Sequence, residues 1–174
     1  PLIRLKASQR NVAEMEACAF AFGVMQDTHS IHRLESFSTK SPMNVRIAAL
    51  QSLVKLGDES KIQDLEILAL SHNLFAIQAL AQLKGSNDIL FELIKSSNLQ
   101  TQINAAIGLL QRRDPRCLPV LEKFLLSDER EIGLKILRSV GGSQKAFKMI
   151  SLPSKETEEG KNQRALCRHL KEQF

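Results

Sequence analysis

The sequence predicts an all-α chain whose short helices stack in pairs as a repeat solenoid. Three observations predict this: helical spacing of apolar residues runs nearly end to end, similar helices recur at a near-constant interval, and no run of alternating β-branched residues competes. Taking the elements in order, Val12, Met15, Ala19 and Phe22 fall on one helix face. Ile31, Leu34 and Phe37 continue the pattern in a shorter helix. Ile47, Leu50, Leu53 and Leu56 mark a third, and Gly57 stops it, because glycine takes the left-handed conformation that closes a helix.

The third helix then returns in altered form. Val45-Arg-Ile-Ala-Ala-Leu-Gln-Ser-Leu-Val-Lys-Leu-Gly57 is echoed by Phe75-Ala-Ile-Gln-Ala-Leu-Ala-Gln-Leu83, by Thr101-Gln-Ile-Asn-Ala-Ala-Ile-Gly-Leu-Leu110, and faintly around Leu134, Leu137, Val140 and Gly141. The matched residues Leu50, Leu80, Ile107 and Leu134 stand about 27 to 30 positions apart, the interval of a solenoid. A second helix type lies between. Its segments begin at Asp58, Ser86 and Asp114, each offering a capping side chain. Pro115 suits a first turn, where its missing N–H costs nothing. Ala48-Ala49 and Ala105-Ala106 allow close helix approach, so stacked pairs can share one core. About five helix pairs, with an extra helix leading, fill residues 1–150. Residues 151–174 read as a polar linker, then a charged helix from about Gly160 whose only stripe is Leu166, Leu170 and Phe174. Such a helix would close the stack as part of the same domain.

Arg113-Asp-Pro-Arg-Cys-Leu-Pro-Val-Leu-Glu-Lys-Phe-Leu-Leu-Ser-Asp128 resembles a HEAT-like repeat of the short phycobilisome-lyase type. Val45 to Gly57 resembles the second helix of such a unit, with its Val-Arg start and Leu-Gly end. The resemblance covers most of residues 9–150 and implies a right-handed α-α superhelix. Two departures stand out: Gln78 occupies an expected alanine position, and Gly85 shortens a helix end.

Composition narrows the function classes. No apolar run approaches the roughly 20 residues that cross a bilayer, and the start, Pro1-Leu-Ile-Arg-Leu-Lys, lacks the apolar stretch of a signal peptide. A chain that begins at Pro1 reads as a piece of a longer protein. Cys18, Cys117 and Cys167 match no disulfide framework or zinc spacing, which fits a reducing, cytoplasmic setting. Eight Phe but no Trp or Tyr leave few of the side chains that dominate ligand pockets and base-stacking platforms.

Catalytic patterns are thin. His29 and His32 could share a helix face but are too few for a stable zinc site. Cys167 and His169 point to different faces of one helix. The carboxylate pairs Asp64/Glu66, Glu129/Glu131 and Glu158/Glu159 fall where charge is solvated, and Gly141-Gly142 reads as a helix end, not a phosphate loop. The expectation is a non-enzyme without cofactor or metal.

Charge carries the remaining functional content. The net charge is +5. The resemblance implies that second helices line the concave face, where Arg46, Lys55, Lys84, Gln102, Gln111, Arg112, Arg130, Lys135 and Arg138 would form a ladder of basic and amide side chains. The leading expectation is a protein–protein scaffold presenting this surface to a partner with an acidic surface. Nucleic-acid binding on the same basic face is the alternative, with a steep salt dependence as its signature. A third is the bilin-attachment role that the family resemblance implies, which no residue singles out.

Overall fold

The computed structural model describes residues 11–139, and every regular element there is helical, with no strand. The helices are α1 (Val12–Val24), α2 (Ile31–Lys40), α3 (Met43–Lys55), α4 (Lys61–Leu70), α5 (Leu74–Gln82), α6 (Asn87–Leu93), α7 (Leu99–Gln111), α8 (Leu118–Leu126) and α9 (Arg130–Ser139). Short 3-10 turns at Thr28–Ser30 and Pro115–Cys117 lead into α2 and α8. Among the described residues no helix is long and apolar enough to cross a membrane. The segment expected to form the polar closing helix, the Gly141-Gly142 doublet, and Cys167 and His169 lie outside the described residues.

The chain divides into two compact units, between Ile89 and Leu90. In the first, α3 is the hub: it packs on α1, α2, α4 and α5. Its core joins Cys18, Ala19 and Phe22 of α1, Leu34 and Phe37 of α2, and Val45, Ala48, Ala49 and Leu53 of α3. Burying a side chain such as Phe22 or Leu53 stabilises by about 1.5–3 kcal/mol. The α1–α3 contact is tighter than leucines alone permit. A Cβ on Gly23 would lie 2.8 Å from the Ser52 Cα, so only glycine fits that crossing. There the Ser52 hydroxyl donates to the Ala19 carbonyl at 2.8 Å, satisfying a buried polar group.

In the second unit α9 packs on α8 and α7, and the Pro115–Cys117 turn packs on both α7 and α8. Ala105, Ala106 and Leu109 of α7, Leu121, Phe124 and Leu125 of α8, and Leu134, Ile136 and Leu137 of α9 are buried.

The same closing device ends four helices. After α1, α3, α4 and α7 the chain passes through a left-handed residue (Gln26, Gly57, His72 and Arg113). The next residue then donates its N–H back to the carbonyl five positions earlier: Asp27 to Phe22, Asp58 to Leu53, Asn73 to Leu68, and Asp114 to Leu109. This is the Schellman closure, which satisfies carbonyls that the helix leaves open. Gly57 is the glycine stop expected there; the other three use non-glycine residues. Asp or Asn follows each time and helps start the next segment. Asn73 caps α5 by accepting from the Phe75 and Ala76 amides, and Asp114 accepts from the Arg116 amide ahead of Pro115. Asp58 instead holds the Ser60 hydroxyl. Ser86, expected to cap α6, gives its hydroxyl to Glu66 at 2.6 Å.

Candidate functional site

The first unit carries a groove of about 380 Å³. Its lining is the same four positions of three helices: Ala13, Glu16, Ala17 and Phe20 of α1, Asn44, Ile47, Ala48 and Gln51 of α3, and Phe75, Gln78, Ala79 and Gln82 of α5. Each residue stands 31 positions from its counterpart on the next helix, as with 17, 48 and 79. These are the second, fifth, sixth and ninth residues of each helix, and they share one helical face.

The four rows do different things. Alanine holds the sixth position throughout (Ala17, Ala48 and Ala79), and short side chains there give the groove its depth. Aromatic rings rise from the two outer helices: Phe20 is 43% exposed and Phe75 54%. Phe20 is held in place by Lys55, one turn beyond Gln51 on α3, whose ammonium lies 4.8 Å from the ring centroid. Carboxamides supply the polar rim. Gln51 is only 5% exposed, and its Nε2 donates to the Gln82 Oε1 at 2.9 Å. A carboxamide offers two N–H donors and a carbonyl, so this pair uses one donor and one acceptor and leaves further capacity facing the groove. Among the described residues, Glu16 is the one ionisable residue in the lining.

The basic and amide residues expected to form a ladder are placed as follows. Arg46 is half-buried and its Nε donates to the Ser38 carbonyl at 3.1 Å, tying the start of α3 to the end of α2. Gln102 does the same in the second unit, donating to the Ile94 carbonyl at 2.8 Å. Both reach back eight residues from the fourth position of their helix. Lys55 lies over Phe20, and Lys84 is exposed just past α5. Gln111, Lys135 and Arg138 are exposed in the second unit. Arg112 is half-buried; burial pulls its pKa down, opposed by the nearby Asp114. Arg130 begins α9.

Asp114 is engaged by a neighbour. It forms a two-pronged pair with Arg116, whose Nη2 lies 2.7 Å from Oδ2 and whose Nε lies 3.0 Å from Oδ1. The Arg116 guanidinium also stacks over Phe91, as does the Lys95 ammonium. Burial, helped by Asp114, raises the Cys117 thiol to about 11, so it is protonated at neutral pH and a poor nucleophile. His29 and His32 are both exposed, as is Asp64.

The residues that line the groove were not those singled out by charge. Phe20 gave a usable signal, since it falls off the Val12, Met15, Ala19, Phe22 stripe and so had to face elsewhere. The glutamines gave none, because exposed Gln is ordinary on any helix. Comparison of the sequence with protein-family models finds no match, and comparison with curated proteins finds none either.

Proposed function

We propose that this chain is a non-catalytic binding scaffold, a HEAT-like helical solenoid that holds a segment of a protein partner in the groove across α1, α3 and α5. One observation carries the reading: three successive second helices present the same four positions to a single groove. That groove combines an alanine floor, two exposed phenylalanines and a rim of carboxamides. A concave, largely apolar surface with a few convergent polar groups is the usual form of a recognition site. Nothing in the lining supplies an activated nucleophile or an acid–base pair. Nor does the lining offer the cations that phosphate contacts need, which favours a protein partner over nucleic acid.

Site-specific photocrosslinking in extract of the source cells tests this. A photoreactive side chain at the exposed groove position Gln78 should capture a discrete protein, and the same group at exposed Gln63 on α4 should not. Equal labelling from both positions, or recovery of nucleic acid from position 78, would sink the proposal.

A further inference from the structure

We infer that the groove takes an extended peptide segment bearing a basic side chain, opposite in sign to the partner that the chain's own +5 charge invites. The inference rests on the scaffold reading and adds the chemistry of the occupant. Its first basis is charge. Among the described residues Glu16 is the one ionisable residue that lines the groove, and it is half-buried on α1. Lys55 lies over Phe20, one turn further along α1 than Glu16. Residues 11–89 carry nine Asp or Glu against six Lys or Arg, so the charge at Glu16 has an acidic surround, and an occupant gains by placing its cation there, away from Lys55.

Its second basis is the buried Gln51 carboxamide, which faces the groove with hydrogen-bonding capacity left after its bond to Gln82. Buried polar groups are stabilised when that capacity is met. An extended backbone can meet it, because its own N–H and C=O groups are open. A helix can meet it only through a side chain, because its backbone groups are bonded internally. An extended strand can lie along the alanine row. Neighbouring helix axes stand roughly 8–10 Å apart, so crossing from α1 to α5 covers roughly 16–20 Å. About six extended residues span that distance. An apolar side chain from such a segment would pack on Ala48 and Ala79 between the two phenylalanines.

The test is selection of random displayed heptapeptides on the full chain and on two variants. Selection on the natural chain should enrich peptides that combine Lys or Arg with a large aliphatic or aromatic residue. On Glu16→Lys the enriched charge should switch from basic to acidic, an outcome that a merely structural Glu16 would not produce. Ala17→Phe fills the groove from an exposed position and should abolish enrichment while leaving the helical circular dichroism unchanged. For a recovered peptide, Glu16→Gln should weaken binding by about fivefold, as for a partly exposed ion pair. Groove-dependent enrichment of neutral or acidic peptides by the natural chain would overturn the basic occupant and leave the scaffold reading standing. Enrichment that survives Ala17→Phe, or none at all, would overturn both. Self-association of the natural chain that Ala17→Phe abolishes, with no peptide enriched, would assign the groove to a second copy and overturn the peptide.

Discussion

Helices α3 and α7 belong to different units, yet they share a frame and differ on one face. Both are 13 residues long, and both close through a left-handed residue followed by aspartate. Both tether their fourth residue to a carbonyl eight positions back, through Arg46 and Gln102. At the four groove positions they part. Asn44, Ile47, Ala48 and Gln51 of α3 correspond to Gln100, Ile103, Asn104 and Ile107 of α7. Asn104 stands where α1, α3 and α5 all carry alanine, and it accepts a hydrogen bond from Gln100 at 3.1 Å. The lesson is a division of labour. Caps, closures and tethers recur because each helix end leaves the same backbone groups unsatisfied. The exposed face is free of that constraint and has diverged.

If the frame is shared, removing matched core residues should cost similar amounts, and this is the largest effect expected. Phe22 and Leu109 both supply the carbonyl of a closure, and both are buried. Phe22→Ala should cost about 3–5 kcal/mol and Leu109→Ala about 2–5 kcal/mol in urea unfolding. A cost below about 1 kcal/mol at Leu109 would break the equivalence.

The next effect belongs to the second unit alone. The Cys117 thiol is raised to about 11 in the fold, above the ordinary thiol value of about 8.5. The folded state therefore holds its proton more tightly than the unfolded chain. The resulting stability is fully present below about pH 8.5 and is lost as pH rises towards about 11. The loss should be about 3 kcal/mol, read as a steeper fall in unfolding free energy over that range than Cys117→Ala shows. Parallel curves would mean the thiol is not desolvated.

Two glycines sharpen the contrast between packing and backbone constraint. Gly23→Ala drives a Cβ into Ser52 and should cost about 1–3 kcal/mol. Gly57→Ala meets open space, but its φ of +105° makes it cost about 1 kcal/mol through the backbone alone. Shortening Ser52 to alanine should rescue neither loss, because the Ser52 Cβ and Cα would still lie 2.7 and 2.8 Å from the new methyl group on residue 23.

The smallest effect is a gain. Arg113 sits at φ +55° where glycine is unstrained, so Arg113→Gly should stabilise by about 0.5–1 kcal/mol in thermal unfolding. Gln26→Gly, at φ +54°, should gain less, because Gln26 also donates to the Gly23 and Lys55 carbonyls. Equal gains at both would show that those bonds contribute nothing.

Much of the helical frame was legible in the sequence, because apolar spacing and Gly57 report directly on burial and closure. The register of the recurrence was only partly so. Matching Leu50 to Leu80 sets an interval of 30 and puts Gln78 at an alanine position. The groove sets an interval of 31, which pairs Ala48 with Ala79 and Ile47 with Gln78. The adjacent Ala48-Ala49 accommodates either register, and leucine is tolerated at neighbouring buried positions, so residue type alone could not decide between them. The left-handed Gln26, His72 and Arg113 were hidden because that conformation is usually marked by glycine. The groove was hidden for a further reason: the ladder of basic and amide side chains drew attention to Arg46 and Gln102, which are spent on tethers, while the lining is nearly uncharged.

The central claim is that binding belongs to the recurring face of α1, α3 and α5 and not to the frame. Amide chemical-shift mapping with a heptapeptide recovered by the selection above tests it most directly. Shifts should cluster at Glu16, Phe20, Asn44, Gln51, Gln78 and Gln82, and leave Gln100 and Asn104 unmoved. Shifts centred on α7, or on the exposed polar residues Gln111, Lys135 and Arg138, would contradict the claim.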